Sequence, residues 1–389
     1  MKRLVLLLCL LPFIVTSACS DNKKADWTIL VYMAADNNLS EQAIDDIIQM
    51  EKAKVPSSIN VIVQLDPSYY NNDPQARRYK IKHSNSSTIA SPVIEYLGEI
   101  DSGDYLVLAD FVNWGMKNYQ ANHYALVIWS HGSGWTREER WICPDNQSIN
   151  QMSIANGAFR NGFKLFNEKI DILLLDACYM QSIEVITEVY PYVDYIVGSE
   201  EATPFDGFPY LEILNDWDKY HNKELIANNI AEQYINAHLP GGRLNPDGYA
   251  RKLSCSVAKS NQINKLLASI ENFTQNWTYK PSISEITLAR SLSYQFNLQE
   301  SDIDLRQFFW QLYTTTENDS LRCDAERIVH DIDEVFVSRL TAHLPEDTGA
   351  ATIWFPVYKA FYTGSKDLYE QMNFANTGWS SFLQHTFSD

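Results

Sequence analysis

Apolar runs alternate with amphipathic segments along the first 240 residues of the chain. The apolar runs are typical of strands that are covered on both faces, and they occupy residues 27–34, 59–65, 124–129, 172–175 and 195–198. Helical spacing of apolar residues is found between them, in segments 40–54, 104–119, 153–166 and 182–190. This alternation predicts an α/β fold with a mostly parallel sheet flanked by helices.

From residue 210 onward the pattern is helix-rich. It predicts helices at 222–237, 259–275, 302–315 and 323–341. The apolar run 350–356 predicts one late strand that joins the sheet. We therefore expect a sheet domain over residues 27–240 and a helix-rich C-terminal region over residues 241–389.

The N-terminus has the pattern of a targeting segment. Two basic residues precede an apolar run over residues 4–15, which is shorter than the ~20 residues of a membrane-spanning helix. Small residues and Cys19 follow, which resembles a bacterial lipoprotein signal. We expect a signal peptide over 1–18, acylation of Cys19, a tether over 19–26 and a lipoprotein of the bacterial cell envelope, in the outer membrane or periplasm. Plain secretion is the alternative, because Thr16 stands where such signals usually carry Leu.

Charge and cysteine content narrow the function classes. The 389 residues include 31 basic and 49 acidic ones, for a net charge of −18. Nucleic-acid binding needs a surplus of Lys and Arg, so it is not expected. Beyond Cys9 and Cys19, the sequence has no CxxC pair and no histidine at metal-ligand spacing from a cysteine, which argues against a zinc site. The roles of three cysteines stay open: Cys143, Cys255 and Cys323.

Two strand ends carry the candidate chemistry. His131 follows the run 124–129, and Cys178 comes shortly after the run 172–175. Because the carboxyl ends of parallel strands meet at one edge of a sheet, we expect the two side chains to be neighbours. A thiol beside an imidazole is the minimal set for covalent acyl transfer. The N–H groups of Gly132 and Cys178 would then hold the oxyanion. Singly, a cysteine or histidine at such a place is more often structural.

The two strand ends resemble the caspase-like cysteine peptidases, and the fuller match is to the clostripain family. The segments that resemble this family are WTILVYMAADNNL (27–39), SHGSGW (130–135), DACYM (176–180), SEEATPFDGFPY (199–210) and ATIWFP (351–356). The resemblance implies a caspase-like fold and a cysteine endopeptidase. In it, Cys178 would form the thioester acyl-enzyme and His131 would protonate the leaving amine.

The resemblance also implies a substrate class. Asp176 and Asp206 match acidic positions that line the pocket for the residue before the cleaved bond, which implies cleavage of proteins or peptides after Arg or Lys. A guanidinium in a pocket does need carboxylate partners at close range. Either residue could instead be a cap or turn aspartate. The alternatives are an inactive surface lipoprotein that binds peptides in the same groove, and a caspase-like peptidase of another specificity.

The resemblance also bears on cleavage of the chain itself and on the need for a cofactor. Clostripain-like enzymes are often cut between the His-Gly pair and the catalytic Cys, so we expect autocleavage after Arg140. The alternatives are cleavage after Arg137, cleavage at Arg160 or Lys164, and an enzyme that is active without processing. No metal or other cofactor is expected. Calcium is required by some members of the family and not by others, and this sequence has no EF-hand-like loop. We expect a monomer, attached to membranes only through its lipid.

Overall fold

The strand–helix alternation is found throughout the computed structural model, which describes residues 24–68, 74–135, 140–276, 283–296 and 301–387. The strands in these residues are β1 (Ala25–Ala35), β2 (Ile59–Pro67), β3 (Ala76–Lys80), β4 (Val93–Gly98), β5 (Ala121–Trp129), β6 (Trp141–Asp145), β7 (Asn150–Ser153), β8 (Ile170–Asp176), β9 (Val193–Gly198), β10 (Leu253–Lys259), β11 (Asp302–Asp304), β12 (Phe336–Ala342) and β13 (Thr352–Trp354). The α-helices are α1 (Ser40–Lys52), α2 (Tyr105–Asn118), α3 (Ala158–Lys164), α4 (Ile183–Val189), α5 (Tyr210–Asp216), α6 (Lys223–His238), α7 (Ser260–Asn276), α8 (Ile283–Leu292), α9 (Leu305–Thr315), α10 (Asp319–Val335), α11 (Lys359–Tyr369) and α12 (Trp379–Thr386).

One large sheet organises the described residues. Its strand order is β12-β10-β9-β8-β5-β1-β2-β3-β4. The five central strands, from β9 to β2, run parallel to one another. At both edges the outer strands pair antiparallel with their neighbours. The predicted α/β fold with a mostly parallel, helix-flanked sheet is confirmed.

Both faces of the central strands are buried, as their apolar sequences require. In β1, Leu30 and Tyr32 belong to the core on one face, whereas Ile29 and Val31 belong to the core on the other. Helices α1, α5 and α6 cover the second face, whereas α2, α3, α4 and the helices of the C-terminal region pack on the first. The result is a three-layer arrangement that leaves the carboxyl ends of the parallel strands at one edge of the sheet.

The C-terminal region differs from the prediction in two places. The apolar run 350–356 does not join the large sheet, because β13 pairs with β11 in a separate two-stranded sheet. The strands that this region adds to the large sheet are β10 and β12 instead. The helix predicted over 323–341 ends at Val335, since the next seven residues pair along the edge of β10. Pairing between distant segments has overridden the local helical spacing there.

The C-terminal region is joined to the sheet through a buried acid on α4. The Oε1 atom of Glu184 accepts hydrogen bonds from the Trp354 N–H at 2.9 Å and the Tyr369 hydroxyl at 3.1 Å. Burial raises the pKa of Glu184 to about 7, and these hydrogen bonds oppose the shift. One hydrophobic cluster includes residues of β8, α9 and α12, so the predicted boundary at residue 240 does not separate two cores.

The predictions on export rest on residues outside the described part of the chain. The signal peptide over 1–18 and the acylation of Cys19 both concern residues outside the described part, so they stay predictions. None of the helices in the described residues has both the length and the apolar character needed to cross a membrane. Among the same residues, no cysteine takes part in a disulfide: Cys143 and Cys255 are buried and Cys323 is exposed.

Candidate active site

The register of two adjacent strands places the candidate nucleophile and the candidate proton donor side by side. Trp129, the last residue of β5, pairs with Asp176, the last residue of β8. His131 and Cys178 each lie two residues beyond these partners, at equivalent positions. Both line one cleft at the carboxyl edge of the sheet, together with Leu39, Trp129, Ser130, Asp176, Ala177, Thr203, Pro204, Phe205 and Gly207.

A strained turn holds the Cys178 thiol at this edge. Tyr179, the next residue, has a φ of +62°, in the left-handed region that non-glycine residues rarely adopt. Its N–H donates to the Glu201 carbonyl at 3.2 Å, which ties the turn to the segment after β9. The Sγ atom of Cys178 is half-buried and lies 3.9 Å from the Thr203 carbonyl oxygen. Contacts between two loops therefore fix the thiol in the cleft.

The His131 ring is oriented by a residue that the sequence did not single out. Its Nε2 atom lies 2.7 Å from the Oδ1 atom of Asn38, on the segment between β1 and α1. An imidazole that donates from Nε2 leaves Nδ1 to accept a proton. Burial lowers the pKa of His131, so the ring is neutral at neutral pH. The backbone is held as well, because the His131 carbonyl accepts from the Cys143 N–H at 3.2 Å.

Gly132 is required by close packing between the two catalytic loops. A Cβ atom at this position would lie 2.9 Å from the Cys178 carbonyl oxygen and 2.9 Å from the Cβ of Ala177. Any side chain would push the loops apart. The oxyanion hole formed by the N–H groups of Gly132 and Cys178 stays a prediction.

Asp176 lies at the base of the cleft, and it is buried. Its Oδ2 atom accepts hydrogen bonds from the Tyr210 hydroxyl at 2.7 Å and the Phe208 N–H at 3.3 Å. Burial raises the pKa of Asp176 to about 6, although both hydrogen bonds oppose the shift. Gly207, with a φ of +59°, passes so close that a Cβ there would lie 3.2 Å from Oδ2. The carboxylate is thus fixed within reach of a ligand in the cleft.

A second buried carboxylate, Asp46 on α1, lies next to Asp176 and was missed by the sequence analysis. Its Oδ2 atom accepts from the indole N–H of Trp129 at 2.8 Å. Burial, followed by repulsion from Asp176, raises the pKa of Asp46 well above its usual range. The sequence did contain a signal for its burial. Asp46 lies three residues after Ala43 and four before Met50, and this helical spacing places it on the buried face of α1.

The structure does not bring the Asp206 carboxylate to the cleft. Its side chain is 49% exposed, and its Oδ2 atom lies 3.5 Å from Arg251 Nη1. The same guanidinium nitrogen lies 3.1 Å from Nδ1 of His238. The neighbours of Asp206, Phe205 and Gly207, do line the cleft. Arg251 therefore holds the Asp206 carboxylate on the side of the 205–207 segment that faces away from the cleft.

The bond after Arg140, the predicted autocleavage site, is hydrogen-bonded on both sides. The Arg140 carbonyl accepts from the Ile154 N–H at 3.0 Å, and the Trp141 N–H donates to the Ser133 hydroxyl at 2.8 Å. The Arg140 side chain also packs, with its guanidinium 4.8 Å from the ring centre of Trp135. Cleavage here would require this segment to open first. Residues 136–139, which include Arg137, lie outside the described residues.

Comparisons with known proteins agree on one family. The model of the clostripain family matches residues 31–387. Clostripain of Hathewaya histolytica is 29% identical over 233 residues, which cover 52% of this chain and 44% of that protein. The chain thus matches less than half the length of this curated relative.

Solved structures share the fold. An inactive zymogen C11 protease from Parabacteroides distasonis has a TM-score of 0.70 at 21% identity, with 91% of this chain and 98% of that chain covered. A secreted C11 cysteine protease from Bacteroides thetaiotaomicron, in complex with an irreversible peptide inhibitor, has a TM-score of 0.68 at 19% identity, with 93% and 99% covered. At these identities the likeness establishes the fold.

Proposed function

The chain belongs to the clostripain family, and from this membership we propose that it is a cysteine endopeptidase that cleaves proteins and peptides after Arg or Lys. The observation that carries the proposal is the placement of Cys178 and His131 at equivalent positions of two adjacent parallel strands, in one cleft with a buried carboxylate. We also propose that the enzyme is an exported monomer, that its lipid anchor is Cys19, and that it matures by autocleavage in the segment after the His-Gly pair.

The proposed reaction uses the thiol and the imidazole in turn. His131 accepts the proton of the Cys178 thiol, and Sγ attacks the carbonyl carbon of the scissile peptide. The N–H groups of Gly132 and Cys178 stabilise the oxyanion. The C–N bond then breaks, His131 gives its proton to the leaving amine, and a thioester acyl-enzyme remains. Water hydrolyses the thioester and restores the thiol. Asn38 acts as a positioning residue, because its Oδ1 atom contacts the His131 ring and fixes its orientation.

Charge in the cleft supports the preference for a basic side chain. Asp176 is ionised at neutral pH because its pKa is about 6. Asp46 lies next to it, and its raised pKa favours the neutral acid, so the charge that faces the cleft is that of Asp176. The Asp176 carboxylate would repel an Asp side chain, whereas a guanidinium would offset the cost of its burial.

A panel of fluorogenic peptides that differ only in the residue before the cleaved bond tests the proposal. We expect kcat/KM for Arg and Lys peptides to exceed that for Ala, Asn and Asp peptides by at least about 30-fold, given the 2–5 kcal/mol associated with a buried charge pair. Equal rates across the panel would overturn the specificity. Binding of peptides without hydrolysis would favour the inactive peptide-binding lipoprotein instead.

A second variant tests whether Asp206 takes part in binding once substrate is present. Arg251 competes for this carboxylate, and the partly exposed pair is worth at most about 1 kcal/mol. Arg251→Ala should therefore raise kcat/KM for Arg peptides by up to about fivefold and leave an Ala peptide unchanged. Arg322→Ala, which removes a comparable exposed pair on α10, is the matched control. No difference between the two variants would show that Asp206 lies outside the pocket.

A further inference from the structure

A second cleft lies at the edge of the large sheet opposite the catalytic cleft, and we call it the amino-edge cleft. It is lined by the start of β1, the start of β2 and the end of α2. Because β1 pairs in parallel with β2 and β5, the amino ends of all three strands meet at this edge. Strand β1 has 11 residues and spans roughly 33 Å, which separates the two clefts. The amino-edge cleft has a volume of about 640 Å³, enough to admit a group of small-molecule size.

Three lysines give the amino-edge cleft a positive charge. They are Lys24, directly before β1, Lys80, the last residue of β3, and Lys117, in the last turn of α2. The acid that lines the cleft with them is Asp26, so the net charge of the described lining is +2. The whole chain carries −18. This cleft is therefore opposite in sign to the protein as a whole, and an anionic partner fits it.

The ammonium groups of this cleft are free to bind such a partner. Within the described part of the chain, none of the three lysines forms a salt bridge, whereas six other lysines do: Lys169, Lys219, Lys223, Lys259, Lys265 and Lys366. The Nζ atom of Lys80 lies 5.0 Å from the ring centre of Tyr119, which also lines the cleft. Like charges that share one cleft repel each other, and a bound anion would offset that repulsion.

The amino-edge cleft also lies next to the proposed lipid anchor. Lys24 lines the cleft and comes five residues after Cys19 in the sequence. A chain spans at most about 3.6 Å per residue, so Cys19 lies within about 18 Å of Lys24. An acyl chain on Cys19 would therefore hold this edge of the sheet close to the bilayer, with the catalytic cleft on the far side.

We propose that the amino-edge cleft docks on the membrane by binding the phosphate groups of anionic phospholipids. A lysine ammonium binds phosphate as a point charge, and each lysine near an anionic bilayer strengthens attachment by about fivefold. Charges more than about 8 Å from the surface are largely screened, so the acids on the other faces oppose docking only weakly. The protein would then contact the membrane through this edge as well as through its lipid, and the catalytic cleft would open toward peptides in solution. The proposal rests on the proposed acylation of Cys19 and not on the peptidase activity.

Reversible binding to vesicles measures the contribution of the cleft. One myristoyl chain, coupled chemically to Cys19 of the chain 19–389, gives only marginal membrane binding by itself. Cys178→Ala and Cys323→Ala remove the other accessible thiols, since Cys143 and Cys255 are buried. We expect partition into vesicles of phosphatidylcholine with phosphatidylglycerol to be at least about fivefold stronger than into phosphatidylcholine alone. High salt should abolish the difference.

A pair of matched variants separates the cleft from the overall charge of the protein. Lys117→Gln should weaken partition into the anionic vesicles about fivefold and leave partition into the neutral vesicles unchanged. Lys359→Gln, at another exposed helical lysine, on α11, is the control and should bind as the parent does. An equal loss in both variants, or partition of the parent that is no stronger on anionic vesicles, would overturn the proposal. Because the acyl chain is coupled chemically, this result does not depend on acylation in the cell, which the intact mass of the native protein reports separately.

Amine labelling locates the surface that meets the bilayer. In the vesicle-bound chain, acetic anhydride should modify Lys80 and Lys117 more slowly on anionic than on neutral vesicles, while Lys359 reacts equally on both. Mass spectrometry of the digested chain measures each rate. Inorganic phosphate without vesicles should protect none of the three. Protection of Lys80 and Lys117 by free phosphate alone would replace the membrane surface with a soluble anion as the ligand, and equal labelling on both kinds of vesicle would overturn the docking.

Discussion

Replacing Cys178 with Ala should abolish peptide hydrolysis and leave the fold intact. The thiol is the proposed nucleophile, and loss of a covalent nucleophile costs roughly 10⁴-fold or more in kcat. Its removal leaves little cavity, since Sγ is half-buried and makes a 3.9 Å contact to the Thr203 carbonyl oxygen. The measurement is kcat/KM on the Arg peptide, with the Tm as the check on folding. Cys323→Ala, at the exposed cysteine, is the control and should keep full activity.

The companion variant His131→Ala separates the role of the nucleophile from that of the proton donor. It should leave a thiol that iodoacetamide still alkylates, but the leaving amine would lack its proton donor and turnover would be slow. Hydrolysis that persists in Cys178→Ala would contradict the covalent mechanism outright.

Asp176→Asn should remove most of the preference for a basic residue. The amide keeps an oxygen that can accept from Tyr210, so the buried hydrogen bond survives, while the charge that pairs with a guanidinium is lost. Loss of one partner of a buried charge pair costs about 2–5 kcal/mol, or roughly 30- to 4,000-fold in kcat/KM for an Arg peptide. An Ala peptide should be affected far less. Asp206→Asn, at the exposed acid, is the matched control and should have a smaller effect.

The pH dependence distinguishes this role from a structural one. Because the pKa of Asp176 is about 6, its carboxylate gains a proton as the pH falls through that value. In the wild type, kcat/KM for Arg peptides should fall below about pH 6 relative to that for the Ala peptide. Asp176→Asn has no proton to gain there, so the ratio should become independent of pH. An equal loss for both peptides at every pH would assign Asp176 a purely structural role.

The sequence was informative where its signal was local. Each central strand is a short apolar run, and the parallel arrangement follows from the helices between the runs. That arrangement also predicts that His131 and Cys178 lie together, because both follow the ends of such runs. The late strand was misplaced because its partner depends on distant residues. The edge of β10 is covered by β12, and nothing in either segment alone specifies that pairing.

The supporting residues of the site could not be predicted in the same way. Asn38 contacts His131 across 93 residues, and Trp129 contacts Asp46 across 83. Arg251 reaches Asp206 from beyond the predicted domain boundary. Such contacts follow from the register and packing of whole elements.

The order of strands in the sheet also determines what a break in the chain would do. Strand β5 lies between β1 and β8, and its last five residues pair with β8 in the middle of the sheet. A nick between β5 and β8 would leave two polypeptides that share one sheet and both cores, so they should stay together as a non-covalent heterodimer. His131 would belong to one piece and Cys178 to the other. Two separately made fragments would therefore be inert alone and would complement each other on mixing, which makes the segment between β5 and β8 a natural place to split the enzyme.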